Sequence, residues 1–125
     1  METGGVGPDD GVLRRRAEEE MNRLLEAAVT LRHDLEHHES VCRTVLEGLH
    51  AGEPLGPVLE ATESDQWRPR LTESLGLYER LRHRARLRLI AVGLAEGMTS
   101  GDVQHHWAIT RQLASRAVRE IAELD

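Results

Sequence analysis

Apolar residues fall into helical register at Val12 and hold it to about His50. With Met21 set as heptad position a, the a positions are Met21, Ala28, Leu35, Cys42 and Leu49, and the d positions are Ala17, Leu24, Leu31, His38 and Val45. Nine of these ten are apolar or cysteine, and the alternating 3–4 spacing runs unbroken for more than four heptads. At ~1.5 Å per residue such a helix is about 50 Å long. The few other elements of a 125-residue chain cannot cover a seam of that length. Residues 12–50 therefore predict a coiled-coil-like dimerisation helix, with His38 and Cys42 as imperfect seam positions that set register. The alternative is an intrachain bundle in which the stripe packs only on a later helix. Leu25, Val29, Val41 and Leu46 widen the stripe and call for further helices beside it.

The segments around this helix are read from their breakers. Residues 1–11 (METGGVGPDDG) are rich in Gly and Asp without periodicity and predict a mobile tail. Two Gly and two Pro between Ala51 and Pro57 stop the long helix. Pro57 fits the first residue of a short helix reaching about Glu63. Trp67-Arg68-Pro69 predicts a second break, so residues 51–70 read as a connector. From Leu71 to Ala95 the apolar positions Leu71, Leu75, Tyr78, Leu81, Ala85, Leu87, Ile90, Ala91 and Leu94 mark one side of a third long helix, which Gly97 ends. No strand alternation of any length occurs, and there is no internal repeat. The expected fold class is all-α: a long N-terminal dimerising helix, a connector, and a C-terminal module over 71–125.

The final thirty residues carry the functional signal. Thr99 caps a short helix with Asp102 three positions on, a capping box, and that helix reaches Trp107. Ala108-Ile109-Thr110 interrupts, and Thr110 caps a further helix from Arg111 to about Glu123. Val103, Trp107, Ile109, Ala114, Ala117 and Val118 are spaced so that two short helices cross over a shared apolar centre. The stretch MTSGDVQHHWAITRQLASRAVRE resembles the helix-turn-helix segment of bacterial transcriptional regulators, matching at Val103, Trp107, Ile109, Thr110, Arg111, Gln112 and Ser115-Arg116. It departs at Gln104, where the family usually packs Ala, and at Ala108, where Gly is usual; Ala114 replaces a larger aliphatic residue.

The resemblance implies sequence-specific binding of double-stranded DNA and transcriptional regulation. Arg111, Gln112, Ser115, Arg116 and Arg119 share the outward side of the second helix, and Arg and Gln pair bidentately with guanine and adenine edges in the major groove. Thr110 and the helix start can hold a phosphate. Arg80, Arg84 and Arg88 lie on one face of the preceding helix, a stripe placed for a DNA backbone. Exposed arginines interleaved with Glu73 and Glu79 would equally form a salt-bridged face. A homodimer through residues 17–49 would link two reading heads at half-sites one duplex turn (~34 Å) apart.

Composition sharpens this picture in a few places. Aromatic residues are limited to Trp67, Trp107 and Tyr78, so the core is built from Leu, Val and Ala, which suits helix-on-helix packing. The net charge of −6 is unevenly spread. Residues 1–65 hold fifteen acids and six arginines, whereas residues 66–125 hold seven acids and ten arginines. All sixteen basic residues are Arg, which reads as codon bias rather than phosphate binding. A single cysteine excludes an intrachain disulfide and a cysteine-built zinc finger. His33/His37 and His38/Cys42 each have helical chelating spacing, but the two pairs point in different directions, and no metal or other cofactor is expected. No phosphate loop, nucleophile elbow or His-Glu-x-x-His motif is present, so neither an enzyme nor a small-molecule substrate is expected. No apolar run reaches membrane-spanning length and no signal-peptide pattern occurs, so a cytoplasmic protein is expected. A helical adaptor that does not bind DNA, using its acidic N-terminal helix, is the competing reading.

Overall fold

The computed structural model describes residues 10–124, in which five α-helices and no strand occur. They are α1 (Asp10–His50), α2 (Leu55–Ala61), α3 (Ser64–Ala95), α4 (Ser100–Trp107) and α5 (Arg111–Ile121). The expected tail lies outside the described residues up to position 9, and its last two residues, Asp10 and Gly11, already open α1. No helix among the described residues is long and apolar enough to cross a membrane.

Both long helices end in the same device. Gly52 (φ 74°) and Gly97 (φ 101°) take positive-φ conformations that side chains disfavour. Glu53 N then donates to Gly48 O at 2.9 Å, and Met98 N to Gly93 O at 2.9 Å. These bonds satisfy carbonyls that a helix end would otherwise leave open. The expected second break at 67–69 does not form. The chain turns instead at Thr62–Glu63, with Glu63 at φ 53°, and α3 runs from Ser64 through Pro69. Pro69 is the sixth residue of α3, so it forfeits one backbone bond near the helix start, a local loss that the rest of the helix tolerates. Likewise α2 starts at Leu55, and Pro57 occupies its third position, where an N–H has no intrahelical acceptor to lose.

The chain divides into two units. One comprises Met1–Leu24 with Leu81–Asp125, of which residues 10–24 and 81–124 are described; the other is Leu25–Arg80. In the first unit, Leu87, Ile90, Val103, Ala114 and Ala117 form the core, with Leu94, Met98, Trp107, Ile109, Ile121 and Leu124 packed against it. Glu20 is also inside this unit, 1% exposed, and Arg84 Nε approaches its carboxylate at 3.0 Å, Arg88 Nε at 3.6 Å and Arg23 at 3.6 Å. A buried carboxylate is tolerable only with such partners. In the second unit, Ala27, Leu31, Val41 and Val58 are buried. Buried Asp34 accepts from Ser74 Oγ and lies 3.3 Å from Arg70 Nε.

These acids explain where the heptad expectation departs from the structure. The buried positions of α1 are Ala17, Glu20, Ala27, Leu31, Asp34, Val41 and Gly48. They keep the d row of the expected seam but place the a row one residue earlier. Ala17 and Leu31 are buried by this chain's own helices, and Leu24, Ala28, His38 and Val45 are half-buried. Met21, Leu35, Cys42 and Leu49 of the expected a row are exposed, as are Leu25 and Leu46 at 63% and 64%. A reading that seeks apolar seams turns Glu20 and Asp34 outward; their ion pairs turn them inward.

Candidate nucleic-acid interface

The segment from Thr99 to Ile121 is built from backbone caps outward. Thr99 Oγ1 accepts from Asp102 N at 3.1 Å, and Asp102 accepts in return from Thr99 N at 2.9 Å, completing the capping box. The Thr99 backbone N–H, and then its hydroxyl, hold the Asp102 carboxyl below its ordinary pKa. α4 closes at Ala108, which adopts the left-handed conformation (φ 51°, ψ 44°) in place of the expected glycine. Ile109 N donates to Gln104 O at 3.1 Å, and Ala108 N to His105 O at 3.3 Å. Two residues later Thr110 begins α5, its hydroxyl accepting from Leu113 N at 3.1 Å. Gln104 is half-buried, and its amide folds back along α4 to Ser100 O at 3.4 Å.

Apolar residues fix which side of α5 faces out. Ala114 and Ala117 are buried against Val103, Leu87 and Ile90, and Ile121 packs beside them. On the opposite side Arg111, Gln112, Ser115, Arg116 and Arg119 are all exposed, as the wheel requires. None of these three arginines forms an ion pair with a described residue. Val118, expected in the apolar centre, is 45% exposed, and Leu113 is exposed too. Both sit on the flanks of α5, between the buried alanines and the arginine face.

The stripe expected on α3 is not an open one. Arg80 is exposed, but Arg84 is half-buried and Arg88 is 9% exposed, and both turn to Glu20. Their charge neutralises a buried carboxylate and is committed within the unit. Sequence reasoning missed a further link between helices. His83 Nε2 lies 2.7 Å from the Glu120 carboxylate, and Arg86 donates to His83 Nδ1 at 3.0 Å. With Nδ1 accepting, the ring proton sits on Nε2 and is donated to Glu120, which joins α3 to the inner edge of α5. No fixed spacing announces such a pair, thirty-seven residues apart.

The histidines of α1 are not gathered into a chelate. His38 Nε2 contacts Cys42 Sγ at 3.5 Å, while His33 and His37 line a cavity in the second unit. Among the described residues no group of three or more His, Cys, Asp or Glu side chains is arranged to hold a metal ion. Compared with known proteins, the chain matches no family model, no curated protein and no solved structure.

Proposed function

We propose that this protein binds double-stranded DNA in a sequence-specific manner as a bacterial transcriptional regulator, with α4, the Ala108–Thr110 turn and α5 acting as a helix-turn-helix. The observation that carries the reading is the outer face of α5. Arg111, Gln112, Ser115, Arg116 and Arg119 are presented together in solvent, without an acidic partner among the described residues, on a helix held from behind by an apolar core. Such a face fits the major groove, where Arg and Gln read base edges and the capped helix start meets phosphate. Backbone contacts fall to the α5 arginines rather than to Arg84 and Arg88, which face Glu20.

The reading includes a homodimer. Leu25, Leu35, Leu46 and Leu49 are exposed on α1, a set that a second copy would shield from water. Pairing two reading heads raises affinity without new base contacts. The test is selection of a preferred site from random duplexes, followed by affinity measurements across a salt series. Affinity is expected to fall steeply with salt, and Arg111→Ala to cost ~1–3 kcal/mol at the selected site. No retention of any duplex at low salt, or binding indifferent to Arg111→Ala, would refute the reading and leave the exposed leucines to a protein partner.

A further inference from the structure

The second unit contains a cavity of about 470 Å³ walled by α1 and the start of α3, within the roughly 300–1,000 Å³ typical of small-molecule sites. Its chemistry is unusual for a simple gap between helices. His33, Asp34 and His37 enter from α1, Glu63 from the α2–α3 turn, and Trp67, Arg70 and Leu71 from α3. Glu63 is held at φ 53°, a backbone conformation costly for any residue with a Cβ, and such strain concentrates at functional positions. Its carboxylate has no hydrogen-bond or ion-pair partner among the described residues. Arg70 pairs with Asp34, its Nε 3.3 Å from that carboxylate, and its two terminal nitrogens make no hydrogen bond with a described residue. The cavity thus holds the Glu63 carboxylate, unpartnered among the described residues, and a guanidinium braced by Asp34 with terminal N–H groups to spare. Trp67 supplies an indole wall, with His37 edge-on to it at a ring separation of 6.1 Å.

We propose that this cavity binds a free α-amino acid with an apolar side chain. A cation alone would satisfy Glu63 but leave the terminal N–H groups of Arg70, which Asp34 engages at Nε, without an acceptor, and an anion alone would leave Glu63 without a donor. An α-amino acid carries both charges on adjacent carbons. Its carboxylate meets the terminal N–H groups of Arg70, with the His33 and His37 imidazoles as further donors. Its ammonium pairs with Glu63, and its side chain covers Leu71 and the Trp67 ring. The site uses neither α4 nor α5, so it stands independently of the DNA reading.

Titration of the full chain, labelled with ¹⁵N at the indoles, tests this with an internal control, because Trp67 lines the cavity and Trp107 lies in the other unit. L-leucine is expected to shift the Trp67 indole resonance saturably and leave Trp107 unmoved. N-acetyl-L-leucine, which lacks the ammonium, and L-leucinamide, which lacks the carboxylate, are each expected to bind at least about tenfold more weakly. Glu63→Gln, at an exposed position, is expected to weaken L-leucine but not N-acetyl-L-leucine. Absence of a saturable Trp67 shift up to roughly 10 mM, beyond the range of weak specific binding, would overturn the proposal. Either capped compound binding as tightly as L-leucine would overturn it as well.

Discussion

Ala108 holds φ 51° and ψ 44° at the end of α4, and its side chain is exposed, so Ala108→Gly removes strain without removing packing. A left-handed conformation costs an L-residue ~1–2 kcal/mol. Glycine escapes that cost but gives back roughly 0.5–1 kcal/mol through its greater freedom in the unfolded chain. The expected net result is a stabilisation of about 0.5–1 kcal/mol, read as a raised urea midpoint at constant slope. The two native glycines in positive-φ conformations supply the reverse experiment. At Gly52 (φ 74°) and Gly97 (φ 101°) an added Cβ meets nothing within 4 Å, so Gly→Ala there tests backbone conformation alone. Each is expected to cost about 1 kcal/mol or more. A destabilising Ala108→Gly, or freely tolerated alanines at 52 and 97, would refute the account of how these helices end. Glycine keeps the left-handed turn that sets where Thr110 starts α5, so under the DNA-binding proposal the same variant is expected to leave affinity unchanged per folded molecule.

Three further outcomes follow from the packing and the caps. A Cβ on Gly48 would sit 2.7 Å from Val58 Cγ2 and 3.0 Å from Cγ1. Since the short, branched valine cannot swing aside, Gly48→Ala is expected to cost ~1–3 kcal/mol in chemical denaturation, and an unchanged midpoint would show that α2 shifts freely. Glu20→Ala removes the acid shared by Arg84, Arg88 and Arg23 and is expected to cost about 3 kcal/mol; a loss under roughly 1 kcal/mol would mean that the arginines rehydrate without penalty. The lowered carboxyl of Asp102 makes the α4 cap pH-dependent in a definite direction. Its contribution is complete above the ordinary aspartate value and disappears as pH falls through the lowered one. Amide protection at Thr99, whose N–H donates to the Asp102 carboxylate, is therefore expected to fall in acid while that at Leu113, capped by the Thr110 hydroxyl, persists; equal loss at both would contradict the assignment.

Much of the architecture was legible because it is written in local chemistry. The glycines at 52 and 97 and the hydroxyl caps at Thr99 and Thr110 act within a few residues of themselves, and each lies where the sequence predicts it. The outward side of α5 was legible for a related reason: two buried alanines leave the arginines nowhere else to go. What could not be read depends on partners distant in sequence. The seam of α1 turns on Glu20 meeting arginines more than sixty residues away and Asp34 meeting Ser74. Hydrophobicity alone gives those acids the wrong sign. The same pairing withdrew Arg84 and Arg88 from the expected stripe. Pro69 misled because its effect depends on position: near a helix start it removes one bond, whereas in mid-helix it breaks the run.

The interleaved assembly of the first unit has a practical consequence for dissection. A fragment starting at Leu81 keeps α4 and α5 but discards the early turns of α1, and with them the acid that Arg84 and Arg88 face. Such a truncation would strip from Arg84 and Arg88 the buried carboxylate they face and loosen the packing of the first unit. Tests of the DNA-binding proposal therefore call for the intact molecule.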